Sequence, residues 1–70
     1  MSTVTIGLLT VEDIGRTIRP VDGDALGVLA RVAHHADETG AWTTVVVVAD
    51  GAPRPVSFAA SKRVVLGGSS

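Results

Sequence analysis

The chain lacks cysteine entirely and has almost no aromatic residues: Trp42 and Phe58 are its only two, and tyrosine is absent. Without cysteine, disulfide bonds and thiolate metal sites are excluded. A chain of 70 residues is near the lower size limit, where only about 60% of the unfolded surface is buried on folding. Its stability must therefore come from core packing or self-association, and we expect a homo-oligomer.

Long apolar runs are also absent. The longest, residues 45–49, contains five residues, whereas a membrane-spanning helix needs about 20. The first ten residues carry no basic side chain ahead of their apolar stretch, so a secretory signal is not indicated. We expect a cytoplasmic protein without membrane contact, in the host cytoplasm if the chain is phage-encoded.

Neither sign of charge dominates. Six basic and seven acidic residues give a formal net charge of -1, and they are interspersed along the chain. No overall field steers the protein toward phosphate backbones or anionic lipid, so nucleic acid could bind only through a local patch. Five of the six bases are arginine, and with abundant Ala, Val, Gly and Asp this usage is typical of high-GC genomes. We therefore expect an accessory protein of an actinobacterium or its phage.

What the chain does contain is β-branched residues: 12 Val, 3 Ile and 7 Thr, 22 in all, which favour sheet. Alternation and turn residues predict strands over residues 3–9, 16–21, 42–49, 56–59 and 64–66, a turn over 50–55 and a flexible tail over 67–70. Thr10 and Asp13 have the spacing of a capping box, and Gly15 ends that helix after one turn. We expect a single domain over residues 1–66.

Residues 25–38 fit two structures. At helical spacing their apolar and polar side chains separate onto two sides, with Asp24 at the N-cap position and Gly40 past the end. As a strand, Leu26, Val28, Ala30 and Val32 would share one face. Local pattern slightly favours the helix, although Gly27 would cost about 1 kcal/mol in a helix interior.

The order of elements from Asp13 to Leu66 carries a resemblance. It comprises a short strand at 16–21, a long segment with Gly27 at a bend, a hairpin at 38–41, the valine-rich strand, a shorter partner, and a break at 60–62 before the last strand. This order resembles the small barrels of the Src-homology-3-like or Sm-like kind. The resemblance implies a mainly β fold, a five- to six-strand barrel with residues 25–37 as a strand. The alternative is an α+β fold, β-turn-α-β-β-β, with a helix at 25–38.

No motif predicts an enzyme. His34 and His35 are adjacent, so on a strand they point to opposite sides and do not readily chelate one ion. The acidic residues fall in predicted turns, where solvated carboxylates cap the backbone. We therefore expect no catalytic residues, no metal site and no cofactor.

The residues that stand out are candidates for partner binding: Trp42, His34, His35, Arg31 and Arg54. Trp42 opens a strand beside a polar hairpin, where it either covers the end of the core or anchors a partner. Val45 to Val48 supply apolar side chains to both faces of one strand, more than a core this small can bury. The leading hypothesis is a non-enzymatic binding or assembly module acting on a protein partner or on itself. The alternative is a nucleic-acid-binding barrel, with the arginines on phosphate and Trp42 stacking on bases.

Overall fold

The computed structural model describes residues 2–69, and for Ser2, Gly68 and Ser69 it describes the backbone alone. The strands are β1 (Ser2–Thr5), β2 (Arg16–Pro20), β3 (Gly27–Asp37), β4 (Gly40–Ala49), β5 (Ala52–Ala59) and β6 (Arg63–Ser69). Between β1 and β2 lie two short 3₁₀ turns, Ile6–Leu8 and Val11–Asp13. The fold of residues 2–69 is therefore mainly β, as predicted, and contains no α-helix.

The six strands form one antiparallel sheet in the order β1-β6-β2-β3-β4-β5. The predicted closure into a barrel is not seen, because β1 and β5 remain the two ends of the sheet. Two hydrogen bonds tie the 3₁₀ turn after β1 to the turn between β5 and β6, from Ile6 N–H to the Lys62 carbonyl at 2.7 Å and from Gly7 N–H to the Ala60 carbonyl at 3.0 Å. Neither of these bonds joins β1 to β5 directly.

The alternative helix over residues 25–38 is wrong. β3 pairs with β4 from Val28↔Val48 to Asp37↔Gly40, with a bulge between Leu29 and Arg31. Gly27 has a φ of 141°, and a side chain there would strike the Val48 carbonyl. Tertiary pairing thus overrides the helical pattern, since the valine-rich β4 needs a strand on both sides.

The core lies on one face of the sheet. Its buried cluster draws on most of the elements and consists of Ile6, Leu9, Ile18, Leu29, Val45, Val47, Val64 and Leu66. On β4 the buried and half-buried positions alternate from Trp42 to Val48, as expected for a strand with one face in the core. The 3₁₀ segment supplies Ile6 and Leu9 to the cluster and so covers part of this face.

Two short-range features, a capping box and a tight turn, form at residues where the sequence predicts them. The capping box forms: Thr10 N–H donates to Asp13 Oδ2 at 2.9 Å, and Glu12 N–H donates to Thr10 Oγ1 at 3.3 Å. Asp50 and Gly51 have φ values of 54° and 78°, so they form the two-residue loop with positive φ that joins tightly paired strands.

Three predicted boundaries are wrong. The strand expected over 3–9 ends at Thr5, because the chain turns there and buries Ile6 in the core. Gly7 then packs so closely on the Ala60 carbonyl that a Cβ at this position would lie 2.8 Å from its oxygen. The turn expected over 50–55 is only two residues long, and β5 runs through Pro53 and Pro55. The tail expected over 67–70 is strand as far as Ser69, which pairs with Arg16 on β2; Ser70 lies outside the described residues.

Within residues 2–69 the structure contains no helix of the length and apolar character required to cross a membrane.

Candidate functional site

The register of β3, β4 and β5 sorts their side chains onto two faces. One face packs on the core through Leu29, Val45 and Val47. The opposite face, here called the outer face, consists of Val28, Arg31, Ala33, His35, Trp42, Thr44, Val46, Val48, Pro53, Pro55, Ser57 and Ala59. Each of these residues is exposed or half-buried, so no other part of residues 2–69 covers the outer face.

Trp42 and His35 lie together on the outer face as directly paired residues of β4 and β3. Their rings stack, with centroids 5.3 Å apart and planes 19° from parallel. Trp42 is half-buried whereas His35 is exposed. One side of the indole is therefore occupied by the imidazole, which fixes the ring against the strand.

His34 has a different environment, on the core side of the same strand. Its Nε2 lies 2.8 Å from the Leu9 carbonyl oxygen and its Nδ1 lies 2.9 Å from Thr43 Oγ1. A carbonyl oxygen only accepts, so Nε2 carries a proton and donates to it, while Nδ1 and the Thr43 hydroxyl form the second hydrogen bond. Both ring nitrogens are thus used to tie the 3₁₀ segment to the β3–β4 hairpin, although the His34 residue as a whole is exposed.

The two candidate arginines do not share a surface. Arg31 pairs with Val46 and so belongs to the outer face. Arg54 pairs with Val47, whose side chain is in the core, and is itself exposed on the edge strand β5. The sequence had grouped these arginines with Trp42, but the register joins only Arg31 to it.

Two carboxylates are held in the ionised form by local hydrogen bonds. Asp22 accepts a hydrogen bond from the Lys62 ammonium at 2.8 Å, which lowers the pKa of the Asp22 carboxyl. Asp37 accepts from Thr39 through both its hydroxyl, at 2.6 Å, and its backbone N–H, at 2.8 Å, and these bonds lower the pKa of Asp37. Asp37, the last residue of β3, therefore carries a stable negative charge.

Sequence reasoning missed several exposed apolar side chains. Leu8, Val11 and Ile14 of the 3₁₀ segment are 73%, 80% and 42% exposed, and Val28 on the outer face is 41% exposed. A strand over residues 3–9 would put Leu8 on the same face as Ile6, whereas Ile6 is buried and Leu8 is exposed. Exposure of neighbouring apolar residues is typical of surfaces that contact another protein.

A shallow depression of about 120 Å³ lies between β2 and β6, lined by Thr17, Ile18, Arg19, Ala25, Val65 and Gly67. Ligand pockets are usually about 300–1,000 Å³, so this depression is smaller than that range. Within residues 2–69, no group of three or more His, Asp or Glu side chains is placed to hold a metal ion.

Comparison of the chain with known protein families, with curated proteins and with solved structures found no match.

Proposed function

We propose that this protein is a non-enzymatic binding and assembly module that works through protein–protein contacts, including self-association. The observation that carries the proposal is the uncovered outer face of β3, β4 and β5. Val28, Val46 and Val48 form adjacent positions on it, with Pro53 and Pro55 beside them on β5. Apolar residues contiguous over three strands favour contact with another protein.

We also propose that the fold is an open variant of the small Src-homology-3-like or Sm-like barrel. Strands β2 to β5 pair consecutively as a meander and β6 lies beside β2, which supports this proposal. β1 would then be an addition at the β6 edge. Such barrels serve many functions, so this proposal concerns the fold and supports no particular partner.

A nucleic-acid partner is the less favoured alternative. Of the two arginines expected to contact phosphate, Arg31 is on the outer face and Arg54 is not. Trp42 already has His35 stacked against it, which leaves less of the indole for a base. If nucleic acid were the partner, binding to single-stranded RNA or DNA would weaken steeply as the salt concentration rises.

The test compares one charge placed on the outer face with the same charge placed elsewhere. Val46→Glu puts a carboxylate in the middle of the outer face, and Val21→Glu makes the same change at an exposed valine in the turn after β2. Proteins retained by the immobilised wild-type chain are quantified against both variants, and light scattering gives the mass of each purified chain. We expect V46E to lose contacts that V21E keeps.

The proposal fails if the wild-type chain is a strict monomer at every concentration and V46E retains the same proteins as wild type. Binding of single-stranded nucleic acid that falls steeply with salt, and that is unaffected by V46E, would instead support the alternative.

A further inference from the structure

The outer backbone edge of β3 is unpaired over most of its length. β2 pairs only with Gly27 and Val28, and Gly15 N–H donates to the Leu29 carbonyl at 2.8 Å. Past Leu29, no backbone hydrogen bond from the rest of residues 2–69 reaches β3 except those from β4. Residues 31–37 therefore form a strand edge whose backbone has no partner beyond β4, here called the arm edge. It lies between Gly15 at one end and the hairpin turn at the other, and the 3₁₀ turn Val11–Asp13 contacts β3 beside it.

The hydrogen-bonding direction of the arm edge follows from a contact on the far side of β4. Ala60 N–H donates to the Ala41 carbonyl at 3.1 Å, so the Ala41 backbone points toward β5. Ala41 pairs with Ala36, and antiparallel pairs alternate between bonded and non-bonded positions. The backbone N–H and C=O groups of Ala36, and with them those of His34 and Val32, therefore point outward from the arm edge.

The other two edges of the sheet are unsuited to adding a strand. On β5, Pro53 and Pro55 pair with Val48 and Val46, which by the same alternation are positions where the β5 backbone points outward. Proline has no N–H, so this edge lacks two donors. The β1 edge is only four residues long. The arm edge is longer and contains neither proline nor lysine, the residues that usually block strand addition.

We propose that a second copy of this chain pairs antiparallel on the arm edge, with a two-fold axis at His34. The proposal rests on the proposed function, since it specifies how self-association occurs. His34 is the middle of residues 31–37, so this register uses the whole arm edge and stops before Leu29, whose carbonyl is already bonded. The register forms three bonded pairs, and hence on the order of six hydrogen bonds between the chains.

Charge complementarity favours a second copy of this chain as the partner that pairs with the arm edge. In this register Arg31 lies opposite the partner's Asp37, and by symmetry the pair occurs twice. Both residues are exposed and on the same face of the strand. Asp37 receives its hydrogen bonds from Thr39 at Oδ1, and in the proposed dimer Oδ2 accepts from the arginine. Opposite charges on directly paired residues stabilise antiparallel strands, and like charges destabilise them.

The first experiment measures the dimer dissociation constant by sedimentation equilibrium. Arg31→Glu places a carboxylate opposite the partner's Asp37 and should raise the constant about tenfold or more, because the repulsion occurs twice. Asp37→Asn in the R31E background removes the repulsion while its amide oxygen still bonds Thr39, and should recover most of the loss. Arg54→Glu is the matched control, since Arg54 is exposed but lies on β5, and should leave the constant unchanged.

The second experiment uses the absence of cysteine from the chain. In the proposed register, His34→Cys brings two thiols across the axis at a Cα separation of about 5.5 Å, within disulfide range. Ala36→Cys, on the same side of β3, pairs with the partner's Val32 and leaves its two thiols beyond reach. Under mild oxidation we expect H34C to cross-link and A36C not to.

A monomer at all concentrations, equal effects of R31E and R54E, or faster cross-linking of A36C than of H34C would each overturn this mode of pairing. None of these results would by itself contradict the proposed function, because protein contacts through the outer face are tested separately by V46E.

Discussion

β3 and β5 flank the same central strand, β4, but their outer edges are built in opposite ways. The edge of β5 has Pro53 and Pro55 at positions where its backbone points outward, whereas residues 31–37 of β3 contain no proline. A sheet with two edges that can each accept a strand adds copies without limit. A sheet on which only one edge can accept a strand is complete after one addition. The difference therefore predicts a closed dimer instead of a growing assembly.

In the β3–β4 hairpin, β3 contributes both to folding and to a surface for contact with another protein. His34 and His35 are adjacent, yet His34 hydrogen-bonds Leu9 and Thr43 on the core side of the strand while His35 stacks on Trp42 on the outer face. Period-two alternation alone produces this division. The core side of β3 secures the hairpin, and the outer side is left for a partner.

The largest expected effect comes from removing the prolines of β5. The double variant P53V/P55V restores two outward N–H groups and makes the β5 edge resemble the arm edge. We expect assemblies larger than a dimer, with a mass that rises with concentration in light scattering. A mass identical to that of wild type would show that these prolines do not limit assembly.

The second prediction closes the arm edge. Ala36→Pro removes an outward N–H and leaves the β3–β4 ladder intact, because proline is tolerated where the N–H faces solvent. We expect a folded monomer, with wild-type far-ultraviolet circular dichroism and the mass of one chain. Ala33 has the opposite orientation, so Ala33→Pro breaks a ladder bond and should unfold the hairpin. Equal behaviour of the two variants would contradict the assigned orientation.

The third prediction compares the two histidines in the monomeric A36P background, where only folding is measured. His34→Ala leaves the Leu9 carbonyl and the buried Thr43 hydroxyl without their partner and should lower the free energy of unfolding by about 1–3 kcal/mol. His35→Ala removes a stacking contact and should lower it by no more than about 1 kcal/mol. Urea titration gives both values, and a larger loss for H35A would be inconsistent with the role of His34 in tying the 3₁₀ segment to the hairpin.

The smallest expected effect concerns pH. Lys62 lowers the folded-state pKa of Asp22 below its ordinary value of 3.8, so the ion pair adds stability above that value and loses it as the pH falls through the lowered pKa. Because both side chains are accessible to solvent, the contribution is small. Lys62→Met should flatten the acid part of the curve of urea midpoint against pH. Arg63→Met, a nearby exposed base, is the control and should leave the curve unchanged.

Features set by near neighbours in the chain were predictable. The Thr10–Asp13 capping box and the Asp50–Gly51 turn depend on residues a few positions apart, and the valine-rich β4 is a strand by its own propensity. The coarse class, a single mainly β sheet, follows from these local signals and the β-branched composition.

Features that depend on position in the sheet were not predictable. Pro53 and Pro55 indicate a turn unless β5 is known to be an edge strand, and residues 67–69 become strand only because β2 lies beside them. For the candidate site, alternation places His34 and His35 on opposite faces. Nothing local indicates that His34 binds the Leu9 carbonyl, 25 residues away, or that Arg31 and Arg54 are separated by the register.

The most direct test is amide hydrogen exchange, measured residue by residue at low and high protein concentration in the unmodified chain. Pairing through the arm edge predicts that the amides of Val32, His34 and Ala36 exchange more slowly at high concentration, while those of Ser57 and Ala59 on the outer edge of β5 do not change. Exchange at Val32, His34 and Ala36 that is independent of concentration, or new protection at Ser57 and Ala59 instead, would contradict the account.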